Sequence, residues 1–511
     1  MSQTANRILK NSAYLYANMA FSMFVSLYST RLILNALGAS DFGIFAIVGG
    51  AIGMLGFLSS TLIQTTQRFI NYAEGSGNHE HKKKIFTVSI LLHMLMALFM
   101  IIVLEIAFYF FFNGILNIPT ERITSAKYIY QFSVVSSALA IVTTPYSAVI
   151  NAHENMKFYS KLGVFQTIAK LLTAIVIVKF GGDKLILYGM LVASITFIVL
   201  IAQRIYCKIH YNECVFNCQK YLDRSLMKEM TSFAGWGVLG SSSSMVSQYG
   251  MGIILNNFGG TILNAAQGVA NQISGQLLVF SRTMLMAVNP VIGKKAGTKN
   301  NADLIRISLM TSKLSFIILA FFAYTFIVEA PFIMKVWLKT VPEWAILFFR
   351  FEVCRALLDQ LTLPIDTAIR SEGRIKYYNI IRSVSFFMPL PLTFILLYMG
   401  FEPYWYYIAW IFCWNIIGGN IILFFAHKNC NMQYKDFFTT LFCPNLIIAL
   451  FCIIIGFLSS YIMPEGFARL ILSSMVIEMT FLTLTWFWGL NHNEKDIIKT
   501  VSKSILNRIR K

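Results

Sequence analysis

Apolar runs of about 20 residues, each closed by a short polar or basic stretch, recur along the whole chain, and that is the length a helix needs to cross a hydrocarbon core. About fourteen such runs can be placed: Ala13 to Ala36, Phe42 to Ile63, Ile85 to Phe112, Tyr128 to Ile150, Phe158 to Val178, Leu185 to Tyr206, Phe233 to Leu255, Leu263 to Ile292, Ile307 to Val328, Trp344 to Ile369, Ile380 to Tyr398, Tyr404 to Ala426, Phe437 to Ile462 and Phe467 to Leu490. The pattern predicts an all-α polytopic membrane protein with about 14 transmembrane helices.

The chain also nearly repeats itself after roughly 220 residues, which is the signature of a duplicated unit. Ile33-Leu34-Asn35-Ala36-Leu37-Gly38-Ala39-Ser40 returns as Ile254-Leu255-Asn256-Asn257-Phe258-Gly259-Gly260-Thr261. Pro145, Ile150, Lys157 and Tyr159 return at one shared offset as Pro364, Ile369, Lys376 and Tyr378. An even number of spans per copy makes the copies two parallel six-helix repeats related by an axis along the membrane normal. The predicted division is therefore an N-terminal six-helix bundle over 1–227, a C-terminal six-helix bundle over 228–430, two additional C-terminal helices over 431–492, and a tail over 493–511. That tail sets Ile498, Val501, Ile505 and Ile509 at helical spacing against Lys495, Lys499, Lys503 and Arg508. It reads as a basic amphipathic helix on an anionic leaflet.

Composition supports the membrane reading, since hydrophobic residues make up 57% of the chain and charged residues 13%, with a mean hydropathy of +0.64. No soluble globular domain has that balance. The formal charge of +19 does not indicate nucleic acid, because the basic residues are scattered over short loops. With the N-terminus in the cytoplasm, about 28 Lys and Arg fall on inner segments and about 7 on outer ones, so both termini are expected in the cytoplasm. The richest inner loops are His81-Lys82-Lys83-Lys84, the stretch from Arg204 to Lys228, and Lys294-Lys295 to Lys313. The first apolar run follows Arg7 and Lys10, is long enough to span and lacks a small-residue cleavage site, so no cleavable signal is expected.

No extramembrane loop much exceeds about 25 residues, fewer than a folded catalytic domain requires, and no G-x-x-x-x-G-K-[ST] phosphate loop occurs. The expectation is a protein that is not an enzyme, and whose transport draws on an ion gradient, the membrane potential or downhill flow. The eight cysteines suggest no disulfide framework. Cys207, His210, Cys214 and Cys218 match no common zinc spacing, so no metal site is expected there.

Charges inside spans are the candidate chemistry, because an ionised group at the bilayer centre costs about 3 kcal/mol on insertion scales and is kept for a hydrated path or a partner. Arg31, Lys161, Lys170, Arg282, Arg350, Arg355 and Arg382 are such residues. In the tenth span Glu352, Arg355, Asp359, Thr362, Asp366 and Arg370 fall on one helix face. Arg355 and Asp359 can pair at i, i+4, either as a self-neutralised structural pair or as part of a hydrated lining. Asn271, Gly275 and Arg282 share a face of the eighth span, and Arg282 has no acidic neighbour within four residues. Gln166 and Lys170 stack in the fifth. Arg282, Lys170, Arg355 and Arg31 are thus the candidate anion-binding residues, with Asp359 and Asp366 as candidate coupling-ion residues. Arg31 near a span end also fits snorkelling, and Lys170 also fits pairing with an acid on another helix. Glu105, Glu329 and Glu478 read as lone acids. Ser241 to Ser244 and Ser247 fit close helix contact, and are also compatible with a sugar path.

Leu34-Asn35-Ala36-Leu37-Gly38, Asp41-Phe42-Gly43 and Gln67-Arg68-Phe69, with the duplicated six-span halves, resemble the polysaccharide transport family (Wzx-type O-antigen or capsule repeat-unit flippases) of the multidrug/oligosaccharidyl-lipid/polysaccharide (MOP) flippase superfamily. The resemblance covers most of the chain. It implies two bundles forming a V around a central cavity that opens alternately to either side. The implied work is moving undecaprenyl-pyrophosphate-linked oligosaccharide repeat units across the bacterial inner membrane for lipopolysaccharide, capsule or exopolysaccharide synthesis. The implied partners are that lipid-linked oligosaccharide, the bilayer, and a polysaccharide polymerase with glycosyltransferases; no nucleic acid and no cofactor are expected, and proton or sodium coupling is left open. Lipid II flippases and multidrug antiporters share the architecture, and lipid II flippases also carry an additional helix pair, so the branch stays open. An exporter of organic cations should line its path with acids and aromatics, and the excess of Lys and Arg in the spans argues against that branch.

Overall fold

In a computed structural model of the chain, residues 2–53, 56–76, 79–112, 120–298, 300–338, 341–491 and 494–496 are described, and the regular elements among them are all helical. Two compact units result, one over Asn11–Ser241 and the other over Ser242–Lys511 with Met1–Lys10.

The first unit is built from α1 (Ser2–Gly53), α2 (Gly56–Ser76), α3 (His79–Phe110), α4 (Ile123–Ala152), α5 (Met156–Lys179), α6 (Lys184–His210), the one-turn α7 (Cys218–Tyr221) and the start of α8 (Arg224–Gly297). Its core is made where apolar side chains of α2, α3, α4 and α8 meet, around Phe69, Ala73, Phe86, Val88, Val149 and Met230. A second cluster joins α1, α3, α4 and α6 through Val48, Leu104, Ile129, Tyr130 and Leu185. The Tyr130 hydroxyl in that cluster donates to the Leu104 carbonyl at 2.6 Å, which satisfies a polar group that would otherwise be stranded.

The second unit continues α8 and adds α9 (Asn301–Val328), α10 (Ala330–Trp337), α11 (Ala345–Glu372), α12 (Lys376–Phe387), α13 (Pro389–Tyr398), α14 (Trp405–Trp410), α15 (Gly418–Cys430), α16 (Tyr434–Phe437), α17 (Cys443–Ile462) and α18 (Phe467–Leu484), with a π-helical stretch at Ile411–Ile417. The two C-terminal helices pack on α9. Glu329, fully buried at the end of α9, accepts from the Arg469 guanidinium at 2.8 Å and from the Ser473 hydroxyl at 2.7 Å. The reading of Glu329 as a lone acid is corrected: its counter-charge comes from a helix too distant in sequence for spacing to show it.

Ten described helices are long and apolar enough to cross a membrane by themselves, against the fourteen spans expected. The tenth predicted span is present as α11, but Glu352, Arg355, Asp359, Asp366 and Arg370 make it too charged to be counted among the ten. Other predicted spans merge. Residues 37–41, expected as a loop, are helical within α1, and the expected break at Asn256 to Thr261 is helical within α8. Gly and Asn weaken a helix by only about 1 kcal/mol each, and Leu263 covers the bare flank of Gly259 from the next turn: a Cβ at Gly259 would lie 2.1 Å from Leu263 Cδ1. The eleventh predicted span is kept as one of the ten, running over Lys376–Tyr398, with a local break at Met388 between α12 and α13, because Pro389 cannot donate to the preceding turn. Most of the amphipathic tail lies outside the described residues.

Helix exposure follows the expected inside-out pattern. α3 exposes Leu95, Leu98, Phe99, Ile102 and Ile106, and α17 exposes Leu446, Leu450, Ile454 and Leu458. Contiguous apolar surface on this scale marks contact with lipid.

The sequence repeat has a backbone counterpart. Pro145 lies inside α4 and Pro364 inside α11. A left-handed residue follows each helix, Glu154 (φ 55°) two residues after α4 and Gly373 (φ 107°) directly after α11. Beyond it the Met156 amide donates to the Glu154 carbonyl at 2.9 Å, and the Ile375 amide to the Gly373 carbonyl at 3.0 Å. The next helices, α5 and α12, start at Met156 and Lys376.

Candidate functional site

The face predicted on α11 is present. Arg355, Asp359, Thr362, Asp366 and Arg370 are all half-buried along it, while the intervening Val353, Ala356, Leu357, Leu361 and Ile365 are buried. Arg355 forks Glu352, Nε to Oε2 at 3.0 Å and Nη2 to Oε1 at 2.5 Å, and its Nη1 donates to Asp359 Oδ2 at 2.7 Å. One guanidinium therefore holds two carboxylates, above the ring of Trp410 at 5.2 Å. Asp359 retains a second partner, since the Asn415 amide donates to its Oδ1 at 2.8 Å. Asn415 sits in the π-helical stretch Ile411–Ile417, an extra residue per turn that turns a side chain out of helical register and occurs often at functional sites. Sequence spacing alone gives no sign of that register change, so Asn415 was not among the predicted residues. Further along, Arg370 donates to both oxygens of Asp366, at 3.1 and 2.9 Å, and the Tyr378 hydroxyl also donates to Asp366. Both predicted coupling-ion residues are thus neutralised by an arginine on their own helix.

Arg350 and Arg382 are held by backbone. Arg350 donates to the carbonyl of Ile327 at 2.9 Å, and Arg382 to that of Trp414 at 3.0 Å. Each guanidinium gains its fit from a neighbouring ring, Phe457 and Phe386 respectively.

Arg282 differs from all of these. It is exposed, and among the described residues it has no ion-pair partner. It continues an exposed stripe of α8 made by Gly268, Asn271, Gln272 and Gln276, in which a Cβ added at Gly268 or at Gly275 would meet nothing within 4 Å. An exposed face of glutamine, asparagine and arginine within a membrane-spanning segment belongs against water, because lipid would leave those groups unsatisfied.

In the first unit Lys170 and Lys161 are exposed, also without an ion-pair partner among the described residues. The face of α5 carrying Lys170 is polar and close-packed to α1: the Ser22 and Thr167 hydroxyls meet at 2.8 Å, and a Cβ at Gly163 would lie 2.6 Å from Asn18 Nδ2. The opposite face exposes Phe165, Ile168, Leu172 and Ile175. Arg31 lies in α1, and its side chain is outside the described residues.

Two charged clusters lie outside the predicted set. At one end of the first unit Arg122 donates from Nε to Asp41 Oδ1 at 2.7 Å and from Nη1 to Asp183 Oδ2 at 3.0 Å, while Asp183 caps α6 through the Leu185 and Ile186 amides. Asp41 of the Asp41-Phe42-Gly43 stretch thus has a structural partner. At the opposite ends of these helices, ligand atoms of Glu74, His153 and Glu213 lie within 4.8 Å of one another. Lys82 Nζ stands 2.5 Å from Glu74 Oε2, and the His153 ring lies between the carboxylates, 2.5 Å from Glu213 and 3.6 Å from Glu74. Burial works against the Glu213 charge, but the His153 hydrogen bond and its other neighbours outweigh it and hold that carboxyl below the usual range. The cluster carries its own cation and joins α2, α3, α4 and the segment after α6. Cys207, His210, Cys214 and Cys218 form no metal-spaced group among the described residues: His210 Nδ1 faces the Tyr206 carbonyl at 3.0 Å, and Cys218 is exposed.

No family model matches the chain, and no curated protein matches it. Solved structures do. A MATE transporter in its straight conformation aligns with a TM-score of 0.71 at 14% identity, covering 84% of this chain and 96% of that one. A multidrug resistance MATE family transporter of the MOP superfamily in an outward-facing conformation gives the same values. A MOP superfamily transporter from Pyrococcus furiosus, described by a reversed polarity of its binding pocket, aligns with a TM-score of 0.69 at 14% identity over 84% and 97% of the two chains. This protein has the fold of MATE transporters of the MOP superfamily, an all-α polytopic fold.

Proposed function

We propose that the protein is an alternating-access flippase for an anionic, lipid-linked oligosaccharide, whose diphosphate is met by Arg282. The observation that carries this reading is the exposed polar stripe of α8 ending at Arg282, a cation with no carboxylate beside it among the described residues. An unpaired guanidinium in a hydrated path attracts phosphate through its planar fork. The fold of the MATE and MOP transporters supports the transport class, and the resemblance to repeat-unit flippases supplies the lipid carrier. An antiporter for organic cations is the competing reading, favoured by the multidrug resistance transporter among the structural neighbours. Against it, Glu352, Asp359 and Asp366 are each already paired with an arginine on α11.

The test is translocation in proteoliposomes of a polyprenyl-pyrophosphate-linked oligosaccharide and, separately, of an organic cation. Wild type should move the lipid-linked sugar, and Arg282→Ala should slow it at least about tenfold, the equivalent of about 1.4 kcal/mol in the barrier. Cation efflux with an unaffected sugar-lipid signal in Arg282→Ala reverses the assignment.

A further inference from the structure

The segment that follows α6 is exposed, apolar and basic at once, and it is held rigidly. α6 presents Ile198, Ile201, Ile205 and Ile209 on one exposed stripe that reaches its last turn. Chain direction then changes, yet apolar exposure continues: Val215, Phe216 and Leu222 lie outside any span and are exposed, Phe216 by 49%. The cations around them, Arg204, Lys208, Lys220 and Arg224, are exposed as well. The two acids of residues 211–223 are already occupied, Glu213 by His153 at 2.5 Å and Asp223 by Lys84 at 3.1 Å.

Two further hydrogen bonds and one buried ring keep this surface from collapsing onto the bundle. The Thr87 hydroxyl donates to the Val215 carbonyl at 3.0 Å, the Asn155 amide donates to the Tyr211 hydroxyl at 3.2 Å, and Tyr221 is buried. Asn217 caps α7 through the Lys220 amide at 3.1 Å. A flexible loop could fold its apolar side chains inward; this one is pinned with them outward. Apolar side chains beside exposed cations that have no carboxylate partner among the described residues, directly beyond an exposed apolar helix stripe, have the chemistry of the headgroup layer, where the former enter the acyl boundary and the latter meet phosphate.

We propose that residues 204–224 form a docking surface for anionic phospholipid, with Val215, Phe216 and Leu222 seated at the headgroup boundary and Arg204, Lys208 and Lys220 against lipid phosphates. It needs no contribution from the transport path and is independent of the substrate assignment. Its consequence is mechanical: through Glu213 and Val215 the surface is tied to α2, α3 and α4, so anionic lipid would hold that end of the first unit at a fixed depth.

The experiment uses the full chain in nanodiscs of phosphatidylcholine alone and of phosphatidylcholine with about 30% phosphatidylglycerol, a level that gives the surface a negative potential. Amide hydrogen exchange is followed over residues 211–223. With phosphatidylglycerol the amides of Val215 to Leu222 should exchange at least about fivefold more slowly, and 1 M salt, which shortens screening to about 3 Å, should cancel the difference. Lys208→Gln with Lys220→Gln should lose the response while melting as wild type does, since both side chains are exposed. Phe216→Ser should lose it in the same way. Equal exchange in the two bilayers overturns the proposal and leaves the surface to a soluble partner; an undiminished response in the double lysine variant overturns it also.

Discussion

Glu154 and Gly373, separated by the interval of the sequence repeat, are both left-handed residues in the turn that follows a proline-containing helix, with φ of 55° and 107°. The next amide but one closes the turn onto each of their carbonyls, at 2.9 and 3.0 Å. The repeat inferred from two matched stretches thus has a counterpart in a backbone turn in which the residue types are unrelated. The turn's geometry recurs, although its chemistry does not.

Gly373 is the more strained copy, because φ of 107° lies well beyond the left-handed helical values that other residues adopt. Gly373→Ala should therefore destabilise the protein by about 1 kcal/mol or more, read as a lower melting temperature in detergent. An unchanged melting temperature shows that the turn relaxes to accept a β-carbon.

Gly418 is needed for a different reason. A Cβ there would lie 1.5 Å from Arg382 Nη1, the atom that donates to the Trp414 carbonyl. Gly418→Ala gains about 0.5 to 1 kcal/mol of helix propensity but forces the buried guanidinium off its carbonyl, a bond to a charged group worth about 1.5 to 3 kcal/mol. A net loss of about 1 kcal/mol is expected, and Arg382→Met, which removes the charge, should lessen the effect of Gly418→Ala. Additive melting shifts for the two substitutions refute the coupling.

Membrane class, the face of α11 and the Arg355–Asp359 pair were legible in the sequence, because each rests on local period or composition. Residues 352, 355, 359, 362, 366 and 370 share a face in any α-helix. What was not legible depends on partners far along the chain or on register. Arg469 lies far from Glu329 in sequence, Arg122 is remote from Asp41, and Asn415 reaches Asp359 only because its turn is π-helical. Helix breaks were misplaced at residues 37–41 and 256–261 because small and polar residues resemble a loop, yet each costs a helix only about 1 kcal/mol or less, and both stretches run through as helix. Among the candidate cations, the sequence separated Arg282 from its neighbours by the lack of a nearby acid, and the structure finds it exposed.

Stability should fall in acid partly through Asp223. Its carboxylate accepts the Leu226 amide at 3.1 Å and the Ser225 amide at 3.0 Å at the start of α8, and pairs with Lys84 at 3.1 Å. The Leu226 amide first, and Lys84 after it, hold its pKa below the ordinary value of 3.8. A depressed pKa contributes stability above the unfolded value, about 3.9 for aspartate, and loses it as pH falls through the folded one. Asp223→Ala should thus melt lower than wild type at pH 7, by about 1 kcal/mol for the lost cap, and the gap should narrow below pH 4. A gap that stays constant from pH 7 to pH 3 rules out an ionised cap.

Arg355 and Asp359 should separate into a stabilising role and a transport role. Arg355→Ala leaves Glu352, 6% exposed, and Asp359 without their cation. Breaking a buried pair in this way costs about 3 to 5 kcal/mol. Asp359→Asn keeps the fork from Arg355 to Glu352 and the Asn415 contact in altered form, so it should cost about half as much or less, as a single charged hydrogen bond does at about 1.5 to 3 kcal/mol. The variant stays folded, which makes it the proper test of coupling. If an incoming diphosphate draws Arg355 away, Asp359 is left with Asn415, and binding of the anion and of a coupling proton or sodium ion favour each other reciprocally. Proteoliposomes with an imposed gradient should then show faster flipping in wild type and gradient-independent flipping in Asp359→Asn. Full gradient dependence in the folded Asn variant assigns coupling elsewhere, and Asp359 is then a residue that only orients Arg355.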